Sequence, residues 1–399
     1  MAKIMVIAGG DWQIELIKKA KSMGHYVICS NLYEDSPAFP YADACEVANV
    51  LDKEKNLEIA KKYMPDAVIS DQSDIAVPTV AYLNEQLGLK GIGTKLADLF
   101  TDKSMQREFA KEHGLNIPEY KMCEMPEDAY PLLEKFGKIV IKPIDSQSSR
   151  GVYTVESKEQ LKAKYQDSVK WSNRRKVFLA EEYIDGDEFT IDGLVVNGHH
   201  YPLCISVKEM YPQNPNISRT QSYSYLSDKH DYNLLRETNK ALIEAAGLPM
   251  GLTHSEYRAH NGKFYLVEAG ARGGGSNLSG KIVPFMSGVD NYEYLIKEAL
   301  GETVDEGRVK NQVFSKDKYV VMRFFDFGEG TVDHVEGADF LKSHPMLIDY
   351  QLEVKPGDVL KQPEYGRLRP GHFIIGGDGK ENVIRESEKI IEAVKVIYK

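Results

Sequence analysis

Two apolar runs, Gly251–Arg258 and Phe264–Gly275, are separated only by the turn Ala259-His-Asn-Gly-Lys263. So short a polar connection joins neighbouring antiparallel strands, which fixes a hairpin wherever the rest of the chain goes. Glu256 in the first run and Glu268 in the second then lie on adjacent backbones, close enough to share a hard cation. Arg272 follows four residues after Glu268, and a glycine run follows Arg272. Paired acids, a guanidinium and pliable backbone suit Mg²⁺ and phosphate oxygens. The same pattern also describes a surface hairpin with two solvated acids.

The chain is long enough, at 399 residues, for two or three domains, and 42% hydrophobic content supplies sizeable cores. With 50 basic and 60 acidic residues the formal charge is −10. Such a surface repels nucleic acid and anionic membrane, so neither is an expected partner. Cys29, Cys45, Cys123 and Cys204 form no CxxC pair. That argues against a disulfide framework or a structural zinc site, and fits a reducing compartment. No apolar run approaches the length of a membrane span. The expected location is cytoplasmic.

From Lys3 to Leu87 strand-like and helix-like segments alternate, the pattern of a parallel, doubly wound sheet. Lys3–Ala8 ends in Gly9-Gly10, but the third glycine of a dinucleotide fingerprint is missing. A tight turn is the simpler reading. Near Gly91 the character changes. Asp102–His113 has helical spacing with Thr101 as its cap, and Ile139–Pro143 reads as a strand carrying Lys142. The polar segment Asp145–Gly151 follows. Phe178–Ile184 and Glu188–Val196 read as strands. Tyr211–Ser224, polar and with two prolines, reads as a mobile loop. A last amphipathic helix is expected over Glu381–Ile397.

Several of these segments suit anion binding. A lysine at the end of a buried strand needs an anion. The segment after Lys142 offers Ser146, Ser148, Ser149, Arg150 and Gly151, whose N–H groups, hydroxyls and guanidinium suit phosphates. It contains no GxxxxGK[ST]. The strand end Glu181-Glu182-Tyr183-Ile184, followed by Glu188, can read an adenine edge and ribose hydroxyls. Each segment alone is equally a hairpin or a solvated strand end.

Their order resembles the ATP-grasp superfamily, and most of all its carboxylate–amine ligases of the L-amino-acid ligase type. The resemblance implies an α/β fold of three parts. These are a Rossmann-like N-terminal domain (1–100), a central ATP-grasp domain (101–310) and a C-terminal α+β cap (311–399). It implies Lys103 and Lys142 as nucleotide-binding lysines and Ser146–Gly151 as the phosphate-covering loop. It further implies Glu181 on the adenine amino group, Glu182, Tyr183 and Ile184 as the hinge, and Glu188 on the ribose. Glu256 and Glu268 would bridge Mg²⁺ (or Mn²⁺). Arg272 would hold the substrate carboxylate or acyl phosphate, with Lys142 and Arg150 as further catalytic cations. His254 matches a histidine of the ligase motif. Many relatives carry Asn two residues after the second acid, where this chain has Gly270; Asn277 is a candidate substitute.

The implied activity is ATP-dependent amide formation between an amino-acid-like carboxylate and an amine, through an acyl phosphate, by a homodimer. Bicarbonate activation and non-catalytic nucleotide binding are the alternatives. Lys208, Arg219, Tyr223 and Tyr225 are candidates for the substrate pocket, and Arg367–Gly371 for a turn or a lid.

Overall fold

The computed structural model describes residues 1–399 apart from residue 313. A four-stranded parallel sheet opens the chain, in the order β3 (Ala44–Val47), β2 (Tyr26–Asn31), β1 (Lys3–Ile7), β4 (Ala67–Ile69). Helices α1 (Ile14–Ser22), α2 (Lys53–Tyr63) and α3 (Val77–Leu87) connect it. The central strands β1 and β4 read as apolar runs because they are buried on both faces, whereas the edge strand β3 is half exposed. Gly9 is a close-approach position, since a Cβ there would lie 2.8 Å from Cys29 Sγ.

After α4 (Thr94–Leu99) and α5 (Lys103–Glu112) comes an antiparallel sheet. It orders β5 (Tyr120–Cys123), β8 (Phe178–Glu182), β6 (Ile139–Pro143) and β7 (Tyr153–Val155), with α6 (Tyr130–Phe136) and α7 (Lys158–Lys170) against it. The cap of α5 is Asp102 rather than Thr101. Its carboxylate accepts the N–H groups of Ser104 and Met105, whereas Thr101 turns its hydroxyl back to Ala97 O.

The largest sheet has eight strands. β9 (Glu188–Val196), β10 (His199–Tyr211) and β11 (Asn214–Ser224) form a meander, and after α8 (Tyr232–Ala246) come β12 (Gly251–His260) and β13 (Lys263–Gly270). β14 (Lys318–Phe324), β16 (Leu347–Leu352) and β18 (Gly371–Asp378) continue the same sheet, in the order β13-β12-β9-β10-β11-β14-β18-β16. Strands from beyond residue 310 thus extend the central sheet rather than forming a separate layer. The remaining strands, β15 (Gly330–Glu336), β17 (Val359–Leu360) and β19 (Lys395–Tyr398), make a small sheet at its side.

Two expectations are corrected. Residues 214–224 are a strand, not a loop: Ile217, Thr220 and Tyr223 are buried between polar neighbours. Pro215 is tolerated because β14 pairs only with Thr220–Tyr223 and leaves its end of β11 uncovered on that side. The last helix spans Lys380–Ala393, and the β-branched run that follows pairs with β15 as β19.

One apolar cluster joins Ile4, Val6 and Leu16 of the first unit to Leu194, Val196 and Leu252 of the large sheet, so both share a continuous core. α5 covers the edge strand β13. The Gln106 amide donates to Ala269 O (2.8 Å) and accepts Ala269 N–H (3.0 Å), completing the ladder as a strand would. Among the described residues no helix is long and apolar enough to cross a membrane.

Gly193 in β9 faces a bulge in β10, where Pro202 and Cys204 are consecutive partners. A Cβ there would meet the His200 imidazole, Thr253 Oγ1 and Tyr201 O. Gly193→Ala should destabilise the fold by about 1–3 kcal/mol through overpacking. Urea denaturation would show this as a lower midpoint at unchanged slope; an unmoved midpoint would refute the packing described.

Candidate active site

The period-2 rule aims one face of β9 at the core and the other at a cleft. Phe189 and Ile191 pack inward, which leaves Glu188, Thr190 and Asp192 on the other side. Strand register then builds rows across three strands. Arg258 of β12, Glu188 of β9 and Lys208 of β10 are successive partners. The Glu188 carboxylate accordingly accepts from Arg258 Nε and Lys208 Nζ, both at 2.9 Å. His254 pairs with Asp192 in the next-but-one row, and its Nδ1 lies 2.8 Å from Asp192 Oδ1.

Glu256 and Glu268 are direct cross-strand partners, beside a bulge at Glu256/Tyr257. Like charges so placed repel, and each is met by a lysine. Lys208 Nζ lies 2.7 Å from Glu256, and Lys103 Nζ lies 2.7 Å from Glu268. Burial would raise the Glu256 carboxyl, yet Lys208 and His254 hold it well below the usual range. For His254 burial opposes charging, but Asp192 and Glu256 lift the imidazole to about 9.

Lys103 begins α5, where its own N–H donates to Ile144 O (2.8 Å) and its ammonium to Ser146 O (2.8 Å). It therefore ties the start of the serine segment to the acidic hairpin. Ser146 Oγ closes the segment by donating to Arg150 O (2.7 Å). Ser148 and Ser149 at its tip have φ of 60° and 57°, a left-handed conformation that is costly for non-glycine residues. Gly151 (φ 72°) is a packing position, because a Cβ there would lie 2.9 Å from both Pro143 and Trp171.

Lys142 lies buried at the strand end, 2.6 Å from Glu181. Arg107 Nε lies 2.6 Å from the other Glu181 oxygen. Burial pushes the Lys142 ammonium down to about 8 despite the pull of Glu181. Burial would also raise Glu181, but Arg107 and Lys142 keep its carboxyl below the ordinary value. Each Glu181 oxygen thus accepts from a neighbouring cation, so the side chain holds Lys142 and keeps its remaining lone pairs for a further donor. Beyond it Glu182, Tyr183 and Ile184 line the cleft.

Arg272 is gripped by a residue from the first unit. Its Nε and Nη2 donate to the two oxygens of Asp74 at 2.7 and 2.8 Å, in a bidentate pair. Asp71 nearby accepts Gly273 N–H (2.7 Å) and the Tyr292 hydroxyl (2.8 Å), and its burial raises its carboxyl.

One cleft thus brings together Lys103, Lys142, Ser146, Ser148, Ser149, Glu181–Ile184, Glu188, Glu256, Glu268 and Arg272. Arg150 does not line it, which corrects the expectation of a catalytic cation there. Its guanidinium sits 5.3 Å from the Trp171 ring centre and 5.9 Å from that of Tyr365. Arg219 is paired with Glu209, and Tyr223 and Tyr225 belong to the core. Asn277 donates to Asp349 (2.8 Å) and is likewise no part of the cleft lining. The Gly270 position carries no amide.

Asp74, Arg258 and Trp12 line the cleft without having been expected there, and Arg369 enters it from the Arg367–Gly371 segment weighed as a turn or a lid. Arg258 was within reach of sequence reasoning, since it follows Glu256 by two residues and so shares its face. Asp74 meets Arg272 across 198 positions, and no local signal points to it.

Among the described residues no cluster of three or more His, Cys, Asp or Glu is arranged to hold a metal by itself. Two carboxylates on facing strands are nevertheless the donor set Mg²⁺ uses when substrate phosphates and water complete its octahedron.

Comparison with known proteins agrees with this geometry. The ATP-grasp domain family matches residues 136–279, and the L-amino acid ligase C-terminal domain 2 family matches residues 323–399. The formate-dependent phosphoribosylglycinamide formyltransferase of Erythrobacter litoralis is 28% identical over 193 residues, covering 47% of this chain and 48% of that protein. The chain spans about half the length of such curated relatives. An L-amino acid ligase from Bacillus licheniformis has the same fold over 100% of this chain and 99% of its own, with a TM-score of 0.84 at 20% identity. The biotin carboxylase domain of Hydrogenobacter thermophilus 2-oxoglutarate carboxylase, a dimer in complex with MgADP and bicarbonate, superposes with a TM-score of 0.76 at 16% identity. That match covers 99% of this chain and 90% of the domain. The chain is thus similar to ATP-grasp domains over residues 136–279 and to the C-terminal domain of L-amino acid ligases over residues 323–399.

Proposed function

We propose that the protein is an ATP- and Mg²⁺-dependent carboxylate–amine ligase that works through an acyl phosphate and releases ADP and phosphate. The observation that carries this reading is the facing pair Glu256 and Glu268, set between Lys103, Lys208 and Arg272 in the cleft that also holds Lys142 and the serine segment. Family matches to an ATP-grasp domain and to an L-amino acid ligase C-terminal domain support it. A homodimer and an amino-acid-like substrate pair belong to the same proposal.

In this reading the hinge Glu182–Ile184 offers backbone groups to adenine. Glu188, which still has free lone pairs beside Lys208 and Arg258, accepts from ribose. Lys142, steered by Glu181 and Arg107, and Lys103 hold phosphate oxygens. Glu256 and Glu268 would hold Mg²⁺, which when bound neutralises phosphate charge. Lys103 and Lys208 balance these acids when the cleft is empty.

The acid's carboxylate oxygen attacks the γ-phosphorus and ADP leaves. The amine then attacks the acyl carbon, and phosphate departs with the C–O bond pair. Phosphoryl transfer needs mainly alignment and charge neutralisation, which this array of fixed cations is suited to supply. Arg272 orients the carboxylate through the N–H groups left after Asp74 takes Nε and Nη2 and Gly273 O takes one N–H of Nη1. The Ser146–Gly151 segment, closing over the phosphates, keeps water from the acyl phosphate.

Two outcomes test the assignment. Glu268→Gln should lower ADP formation at least 100-fold in a screen of acids with amines, with circular dichroism unchanged; near-normal turnover would remove the metal role. Nucleotide affinity should also depend on pH through Lys142. Phosphates favour its charged form, so affinity is full below about 8 and falls as pH rises through that value. The fall should approach tenfold per pH unit. Lys142→Arg should flatten the profile, because guanidinium stays charged. Titration calorimetry with a non-hydrolysable ATP analogue from pH 7 to 10 reads both, and a flat wild-type profile would contradict the role of Lys142.

A further inference from the structure

A second cavity lies away from the cleft, and no residue lines both. It encloses about 420 Å³, a volume that suits a small molecule. Its walls are the start of β10 at His199–Pro202, one face of α8, and the short helix Glu306–Lys310 with Phe314 beyond it.

One end of this cavity holds cations without acids. Arg236 and Lys240 are four residues apart on α8 and so share a face. Neither has a carboxylate within 4.0 Å among the described residues. Arg236 is nonetheless fixed. Nη1 donates to Asn233 Oδ1 and Nη2 to Tyr225 O, both at 3.0 Å, and the guanidinium carbon lies 4.8 Å from the centre of the Phe314 ring. These bonds leave Nε–H free. Burial pulls the group down, the direction expected of a cation short of counter-charge. His200 stands close enough to Lys240 to feel its charge. Its imidazole is buried, and burial holds it down to about 3, so the ring is neutral. Nε2 lies 2.9 Å from Thr253 Oγ1, while Nδ1 has no partner among the described residues.

The other end is acidic, and its acids already accept from neutral donors. Glu244 takes the His200 N–H (3.2 Å), and Glu306 takes the Tyr201 hydroxyl and the Asn197 amide. Carboxylates so engaged keep lone pairs for further hydroxyl donors. Glu237 and Lys310 are exposed on the rim.

We propose that this cavity binds a small phosphate monoester bearing hydroxyl groups, with its phosphate on Arg236 and Lys240 and its hydroxyls toward Glu244 and Glu306. Charge selects phosphate over a single carboxylate. A monoester carries close to two negative charges at neutral pH, which matches two cations that lack an acid. The site is remote from the nucleotide. His200 and Lys208 lie on one strand, eight residues and so roughly 26 Å apart. It does not depend on the ligation reading.

The test uses the whole chain with Mg²⁺ and a saturating non-hydrolysable ATP analogue, so that the cleft is occupied. Glycerol 3-phosphate is the probe in titration calorimetry, with malonate and glycerol alongside. The wild type should bind the probe more tightly than either. Arg236→Gln should weaken probe binding at least tenfold, while analogue affinity stays within twofold. Lys240→Gln, at a partly exposed helix position, should weaken it at least threefold and serves if the Arg236 variant does not fold. No probe binding by the wild type, or unchanged affinity in the folded variants, would overturn the proposal. Tighter binding of malonate would overturn the assignment to phosphate. A probe lost on Lys142→Met but kept in both α8 variants would place it in the cleft and overturn the proposal as well.

Discussion

The repulsion between Glu256 and Glu268 organises the rest of the structure. Two carboxylates placed opposite each other on neighbouring strands are unfavourable unless cations meet them. Lys103 arrives from the start of α5 and Lys208 from β10. Each brings its own element with it. Lys103 pins the serine segment through Ser146, and Lys208 ties β10 to Glu188. The cleft is therefore a balanced set of charges whose partners can change when phosphates and a divalent cation enter. A surface hairpin with two solvated acids would need none of these contacts.

A second constraint lies between the units. Arg272 and Gly273 are bound by Asp74 and Asp71 of the first unit, so the end of the acidic hairpin is fixed by residues from the opposite end of the sequence. Burial makes these contacts consequential, since losing one partner of a buried ion pair leaves the other uncompensated. The continuous apolar cluster beneath them supports the same geometry. Chemistry that must align two substrates and a nucleotide benefits from walls that cannot drift apart.

Much of this was legible in the sequence because it is local. The hairpin, its acids, the Lys142 strand and the alternating first unit all follow from periodicity and turn residues. What was missed is where local signals mislead or fall silent. The 214–224 strand carries polar side chains on its cleft face and a proline where one edge is uncovered, so its composition imitates a loop. Arg150 shares a segment with the cleft serines but turns to Trp171 and Tyr365, a choice of rotamer and packing that spacing does not encode. Glu181 was found, yet its side chain belongs to Lys142 and to Arg107, which is an unremarkable helix residue until the helix is docked. Asp74 enters from a distant element and has no signature of its own.

The central claim is that this cleft moves a phosphoryl group onto a carboxylate. It is tested most directly with the acid that supports ADP release, labelled with ¹⁸O in its carboxyl group. The account predicts one labelled oxygen in the released phosphate for each amide formed. Unlabelled phosphate, or label recovered in AMP, would contradict it.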